Sequence, residues 1–257
     1  MKYVGSKSRI AKDIVPIIQK YIDDNNITTY IEPFVGGANI IDKIKCENRI
    51  AGDNNRYLIA LFNNLDKLDS LPDVIDKRCY NIVRDNYNNR GIACSDWLTG
   101  AVGFLASYNG RFFDGGYAKT VITKTGVTRN YYLEAKNNLL AQRPHLSDIS
   151  FNYGDYETTV GNISNAMIYC DIPYKGVTQY TTNKNFDYDR FWNWARQMSK
   201  TNIVIVSELN APDDFACIWE QDLLRTIDNN KRVVSTEKLF IYKGADNICN
   251  TKAVNQE

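Results

Sequence analysis

Short apolar strands alternate with amphipathic helices from residue 10, the pattern breaks off near residue 66, and it resumes near residue 148. Ile10, Ile14, Ile17, Ile18 and Tyr21 recur at helical spacing and predict a first helix, disturbed at Pro16. Thr28 to Glu32 reads as a strand, with a helical stretch beginning near Ala38. Arg49 to Asp53 reads as a second strand, and Leu58, Leu61, Phe62 and Leu65 mark a helix from Asn54 to about Leu68. Such an alternation belongs to a parallel sheet with crossover helices, an α/β fold. From about 66 to 147 the pattern changes to helices, roughly 73–86, 92–106 and 130–141. They surround a polar, glycine-rich stretch in which Val121, Ile122 and Val127 flank turn residues and suggest a β-hairpin. Strands return at Ile149 to Tyr153, Ala166 to Cys170 and Asn202 to Ser207, with a helix from Asp187 to Ser199. Residues 231–235 and 238–242 read as two closing strands, an antiparallel pair at the sheet edge. The economical division is a split domain, 1–65 plus 148–257, carrying a helical insertion, 66–147.

Bulk properties exclude more than they assign. Apolar residues make up 44% and charged residues 24%, with no apolar run long enough to cross a bilayer and no secretory signal expected at the N-terminus. The six cysteines (Cys46, Cys79, Cys94, Cys170, Cys217 and Cys249) are scattered singly and His145 is the only histidine. No metal site is therefore expected, and free thiols suit a monomer of the reducing cytoplasm. A net charge of +1 does not announce a nucleic-acid binder, but charge is unevenly placed. Between Tyr108 and Arg143 there are six basic residues against two acidic ones, as a phosphate-contacting surface requires; a merely solvated face reads the same way.

Four acidic residues, Glu32, Asp53, Asp155 and Asp171, fall at or just past the carboxyl ends of four predicted strands. Open parallel sheets bind ligands outside that edge. Gly36 and Gly37 follow the first strand, where glycines let backbone N–H groups approach a ligand. An acid ending the next strand can accept bonds from ribose hydroxyls, which suits a nucleoside. The loop lacks the G-x-G-x-x-G and G-x-x-x-x-G-K patterns, so an ordinary tight turn remains open.

Tyr169-Cys170-Asp171-Ile172-Pro173-Tyr174 resembles the DPPY motif of amino-methyltransferases. Tyr3-Val4-Gly5-Ser6-Lys7 resembles the N-terminal cofactor motif of Dam-like N6-adenine DNA methyltransferases. Tyr30 to Ala38 is similar to their EPFxGxG loop, and Ile50 to Asn55 to their acidic strand end. The resemblance implies a Rossmann-like S-adenosylmethionine-dependent methyltransferase sheet with a helical target-recognition insertion. It implies a cofactor site of Tyr3, Lys7, Glu32, Phe34, Gly36, Asp53, Asp155 and Asp171, with Asp171, Ile172, Pro173 and Tyr174 as the catalytic turn. Double-stranded DNA is the implied partner, with Asn109, Arg111, Lys119, Lys124 and Arg129 as candidate contacts. Three positions depart from the family pattern: Ile172 replaces the first proline, Ala38 the last glycine of the loop, and Ser6 a glycine near the N-terminus.

The chemistry explains the residue types. An adenine amine is a poor nucleophile because its lone pair is delocalised into the ring. Asp171 and the carbonyl of Ile172 offer acceptors for its two N–H bonds, on a stiff X-Pro turn. Tyr174 offers a face on which the flipped base stacks. No metal or nucleophilic residue is needed. Two other readings stay open at this level: methylation of RNA or a protein amide, and a catalytically degenerate fold that only binds DNA.

Overall fold

The computed structural model describes residues 1–88, 94–175, 186–228 and 231–244, with side chains left undescribed at 224–228 and 231–234. Helix α1 (Ala11–Asp24) buries Ile14, Ile18 and Ile22, one residue in four, and runs through Pro16 without interruption. The expected disturbance is absent because Pro16 and Lys12, whose carbonyl loses its donor, both lie on the exposed face where water substitutes. Strand β1 (Thr29–Glu32) carries fully buried Tyr30 and Ile31 and stops at Pro33. No α-helix starts near Ala38. That residue has φ +55°, in the left-handed region, and only a 3-10 turn at Ile41–Lys43 follows.

Strand β2 (Asn48–Asp53) leads into α2 (Arg56–Phe62), whose N-cap Asn55 accepts from the N–H groups of Tyr57 (3.1 Å) and Leu58 (3.2 Å). The predicted continuation to Leu68 breaks at Asn63, and a 3-10 segment, Leu65–Ser70, buries Leu65 and Leu68 instead. The middle of the chain contains α3 (Lys77–Tyr87), α4 (Asp96–Leu105), the hairpin β3 (Thr120–Ile122) and β4 (Thr128–Asn130), and α5 (Tyr131–Gln142). Asp76, Ser95 and Asn130 cap the three helices with side-chain oxygens. The chain then forms β5 (Ile149–Tyr153), α6 (Tyr156–Val160), β6 (Met167–Asp171), α7 (Tyr188–Met198) and β7 (Ile203–Glu208).

The ending differs from the sequence expectation. Residues 231–235 and 238–242 are not two strands but one, β9 (Lys231–Tyr242), whose partner is β8 (Phe215–Asp228). β8 has no counterpart among the strands expected from the sequence, because acidic residues such as Glu220 and Asp222 interrupt its apolar positions without preventing pairing. Among the described residues the sheet has seven strands in the order β5-β2-β1-β6-β7-β9-β8, and β3-β4 stands as a separate two-stranded pair. β1 with β6 and β6 with β7 are parallel, whereas β9 runs antiparallel to both β7 and β8. The fold is thus mixed α/β around a sheet with a parallel centre.

The chain divides into two compact units. The first comprises 1–15, 35–44 and 51–159, and the second 16–34, 45–50 and 160–257. Leu58, Leu61, Val102, Phe104 and Leu139 are among the buried core of the first. Ile18, Ile31, Met167 to Cys170, Phe191 and Ile203 to Val206 serve the second.

Candidate active site

In the first unit the buried carboxyl of Asp53 ends β2. Its Oδ2 accepts from the Gly36 N–H (3.2 Å) and its Oδ1 from the Asn55 N–H (2.9 Å). Burial nevertheless pushes its pKa up to about 6, the two backbone donors only partly opposing it. Gly36 has φ +47°, and a Cβ there would stand 2.9 Å from Cε1 of Tyr3, so the turn and the tyrosine ring fit only around a hydrogen. The Val35 N–H donates to the Gly52 carbonyl (2.8 Å) and ties the loop to β2. Tyr3 itself stacks on Phe104, with centroids 5.8 Å apart.

The structure therefore brings Tyr3, Gly36 and Asp53 together. Asp155 stands close by in the chain path, because the Gly154 N–H donates to the Asp53 carbonyl (3.1 Å). The Asp155 carboxylate accepts from the Glu157 N–H (3.1 Å) and so serves the start of α6. Lys7 is buried in a short 3-10 turn, Lys7–Arg9, in which Ser6 accepts from the Ser8 N–H (3.1 Å). A hydroxyl at position 6 thus has a local task that the family's glycine could not perform.

In the second unit Asp171 is half-buried at the end of β6, opposite Ser207 of β7. The turn after it is braced at three points. Tyr188 donates its hydroxyl to the Pro173 carbonyl (2.9 Å), and the Lys175 N–H donates to Glu208 Oε2 (3.2 Å). The Tyr174 hydroxyl bonds to Ser207 Oγ (2.9 Å) and donates to the carboxylate of Glu237. Burial, with the negative charges of Asp171 and Glu237, pushes the Tyr174 phenol well above its ordinary range, so it remains a donor. Ile172 is buried, which anchors by packing a position where the family motif uses a ring. Glu32 is also buried, and Phe34 meets Phe186 and Phe191 edge-on at 5.8 and 5.9 Å.

The candidate DNA contacts all belong to the first unit. Asn109, Arg111, Lys119, Lys124 and Arg129 are exposed. Asn109 is held at φ +56°, next to Gly110, where a Cβ would lie 2.4 Å from the Lys2 carbonyl oxygen. Arg129 forms a fork with Glu134, at 2.8 and 2.6 Å, and its guanidinium lies 4.9 Å from the Tyr131 ring centre.

Ser207, Glu208, Tyr188 and Glu237 are not among the site residues expected from the sequence. Ser207 and Glu208 were legible as the end of an apolar strand resembling the one that ends in Asp171. Glu237 was not, because it fell in the gap between two strands that are in fact one.

Comparison with known proteins bears on this geometry. The type II methyltransferase M.MjaIII of Methanocaldococcus jannaschii is 24% identical over 256 residues, covering 86% of this chain and 87% of the relative. The type II methyltransferase M.FokI of Planomicrobium okeanokoites is 25% identical over 82% of this chain, which spans only 34% of that longer protein. Among solved structures, the rRNA methyltransferase aviRa from Streptomyces viridochromogenes aligns with 95% of this chain and 88% of its own, at TM-score 0.45 and 10% identity. At that level neither substrate nor chemistry transfers. The family model for D12 class N6 adenine-specific DNA methyltransferases matches residues 3–208, from the Tyr3 motif through the Asp171 turn to the end of β7. With four-fifths of its length matched in this way, the chain belongs to the D12 class N6 adenine-specific DNA methyltransferases, enzymes that methylate adenine in DNA.

Proposed function

We propose that this enzyme methylates the N6 amine of an adenine flipped out of duplex DNA, taking the methyl group from S-adenosylmethionine, with Asp171 and the Ile172 carbonyl as the acceptors that activate the amine. The observation that carries this reading is the braced turn. A half-buried carboxylate at a strand end is followed by a peptide unit whose neighbours are held by Tyr188, Glu208 and Tyr174. Acceptors fixed in this way need no reorganisation when positive charge develops on the amine nitrogen.

Bound S-adenosylmethionine supplies an electrophilic methyl on a sulfonium. Residues of this chain suit its parts. Asp53 presents a buried acceptor for ribose hydroxyls, with lone pairs left beyond those given to Gly36 and Asn55. Gly36 lets the turn close tightly against Tyr3, where any side chain would collide with the ring. Tyr3, Lys7, Glu32, Phe34 and Asp155 complete the proposed cofactor set, and Tyr174 the base slot. None of these roles calls for a metal. Asn109, Arg111, Lys119, Lys124 and Arg129, within an insertion at 66–147, are the proposed contacts to duplex DNA, mainly to phosphate. The reading takes the protein as a cytoplasmic monomer. The names of both curated relatives, type II methyltransferases, support a place in a restriction–modification system.

Asp171→Ala tests the core of the proposal. Transfer of labelled methyl from S-adenosylmethionine to duplex DNA should fall by at least about a thousandfold, as for loss of a group acting in the transition state, with the melting temperature little changed. Wild-type turnover in that variant would refute the mechanism. Label accepted by RNA or protein but not by duplex DNA would move the substrate elsewhere. A chain unable to gain thermal stability from S-adenosylmethionine would point to a degenerate fold.

A further inference from the structure

Tyr174 is held at its far end by two side chains from strands distant in sequence. Ser207 and Glu237 are 1% and 2% exposed, and both reach its hydroxyl. The ladder between β7 and β9 sets Ser207 against Leu239 and Glu208 against Lys238, so Glu237 stands at the next position along β9. A carboxylate so deeply buried is costly unless bonded, and a phenol that stays protonated is a suitable donor to it. The near end of the tyrosine is held as well, since its two chain neighbours are bonded through the Pro173 carbonyl and the Lys175 N–H. A tyrosine restrained at backbone and hydroxyl keeps one ring orientation. The same turn has Ile172 in place of a proline and so one rigid residue fewer.

We propose that Glu237 is a positioning residue: through the Tyr174 hydroxyl it fixes the plane of the ring against which the flipped adenine stacks, and it supplies restraint that a proline at position 172 would otherwise contribute. This rests on the reading of Asp171–Tyr174 as the catalytic turn and adds to it a residue beyond the stretch matched by the family model.

The experiment uses the full chain, one duplex with adenine at the methylated position for the rates, a second with 2-aminopurine there for the emission, and four variants beside Asp171→Ala. In E237A the single-turnover methylation rate should fall about tenfold while affinity for S-adenosylmethionine is unchanged. The emission of the flipped 2-aminopurine should also rise, because a loosened ring quenches it less. Y174F removes the same bond from the other side, and E237A/Y174F should be no slower than the slower single variant. E237Q keeps an acceptor and should recover most of the rate. If E237A does not fold, the comparison of E237Q with Y174F carries the test, and equal losses in both would overturn the role of a retained acceptor. A wild-type rate in E237A, additive losses in the double variant, or loss of cofactor affinity in parallel would also overturn it. An inactive Asp171→Ala alongside a fully active E237A sinks Glu237 alone, whereas an active Asp171→Ala sinks the catalytic turn itself.

Discussion

A carboxyl that accepts from two backbone N–H groups ordinarily titrates low, yet Asp53 titrates near 6 because burial outweighs both bonds. Ribose hydroxyls donating to it would favour its ionised form, so cofactor binding releases a proton below that pH. Calorimetric affinity for S-adenosylmethionine is therefore expected to decline as pH falls through about 6 and to level off above 7. A flat profile from pH 5 to 8 would exclude Asp53 from the cofactor contact. In the cofactor-free protein the sign is opposite. A folded-state pKa raised above the ordinary value of 3.8 contributes stability that is complete below pH 4 and is lost as pH rises through 6. The placing of Asp53 and Asp171 at strand ends is legible in the sequence because each closes a short strand-like run. The environment of Asp53 is not, since it depends on which N–H groups the Gly36 turn presents.

Helix α7 shows what an element contributes beyond its own span. Phe191 is fully buried and lies edge-on to Phe34, the residue after the proline that ends β1. Phe191→Ala should cost about 3–5 kcal/mol, measured as a shift in urea midpoint, and should loosen Phe34 as well. Periodicity revealed α7 and the strands of the parallel centre because each pairs one buried face or run with clear boundaries. It failed where a single residue decided the backbone. Ala38, with a good helix former's side chain, sits at φ +55° because the loop must turn there, and tertiary packing overrode its propensity. The sequence divides β9 in two because polar Thr236 and Glu237 separate its strand-like runs, whereas its register with β8 continues through both. The position of Glu237 beside Tyr174 went unseen for the same reason.

Charge is best judged over the molecule. Of the six cations between Tyr108 and Arg143, at least three are bonded to carboxylates: Arg129 to Glu134, Lys136 to Asp73 (2.9 Å) and Arg143 to Asp69 (2.6 Å). Lys136 is buried and also donates to the Leu71 carbonyl, so its work is structural. The local surplus counted on the sequence thus overstates what phosphate meets. Lys124→Ala should weaken binding to all duplexes alike and lower the slope of log affinity against log salt by about 0.9, as followed by anisotropy over a potassium chloride series. An unchanged slope would remove Lys124 from the interface. Arg129→Ala should move the slope less, because its fork with Glu134 must first open.

The parallel pairing of Tyr30 with Met167 joins strands about 140 residues apart, and every intervening element must be made before β1 gains that neighbour. β7 then waits for β9, whose own outer partner, β8, is synthesised first. For a nascent chain this fixes a timetable. The edge of β7 stays unpaired until β9 has emerged, and the groups that clamp Tyr174 are not all present until Glu237 has cleared the ribosome. A nascent chain that has not yet exposed Glu237 therefore lacks one of the two side chains that hold the Tyr174 hydroxyl.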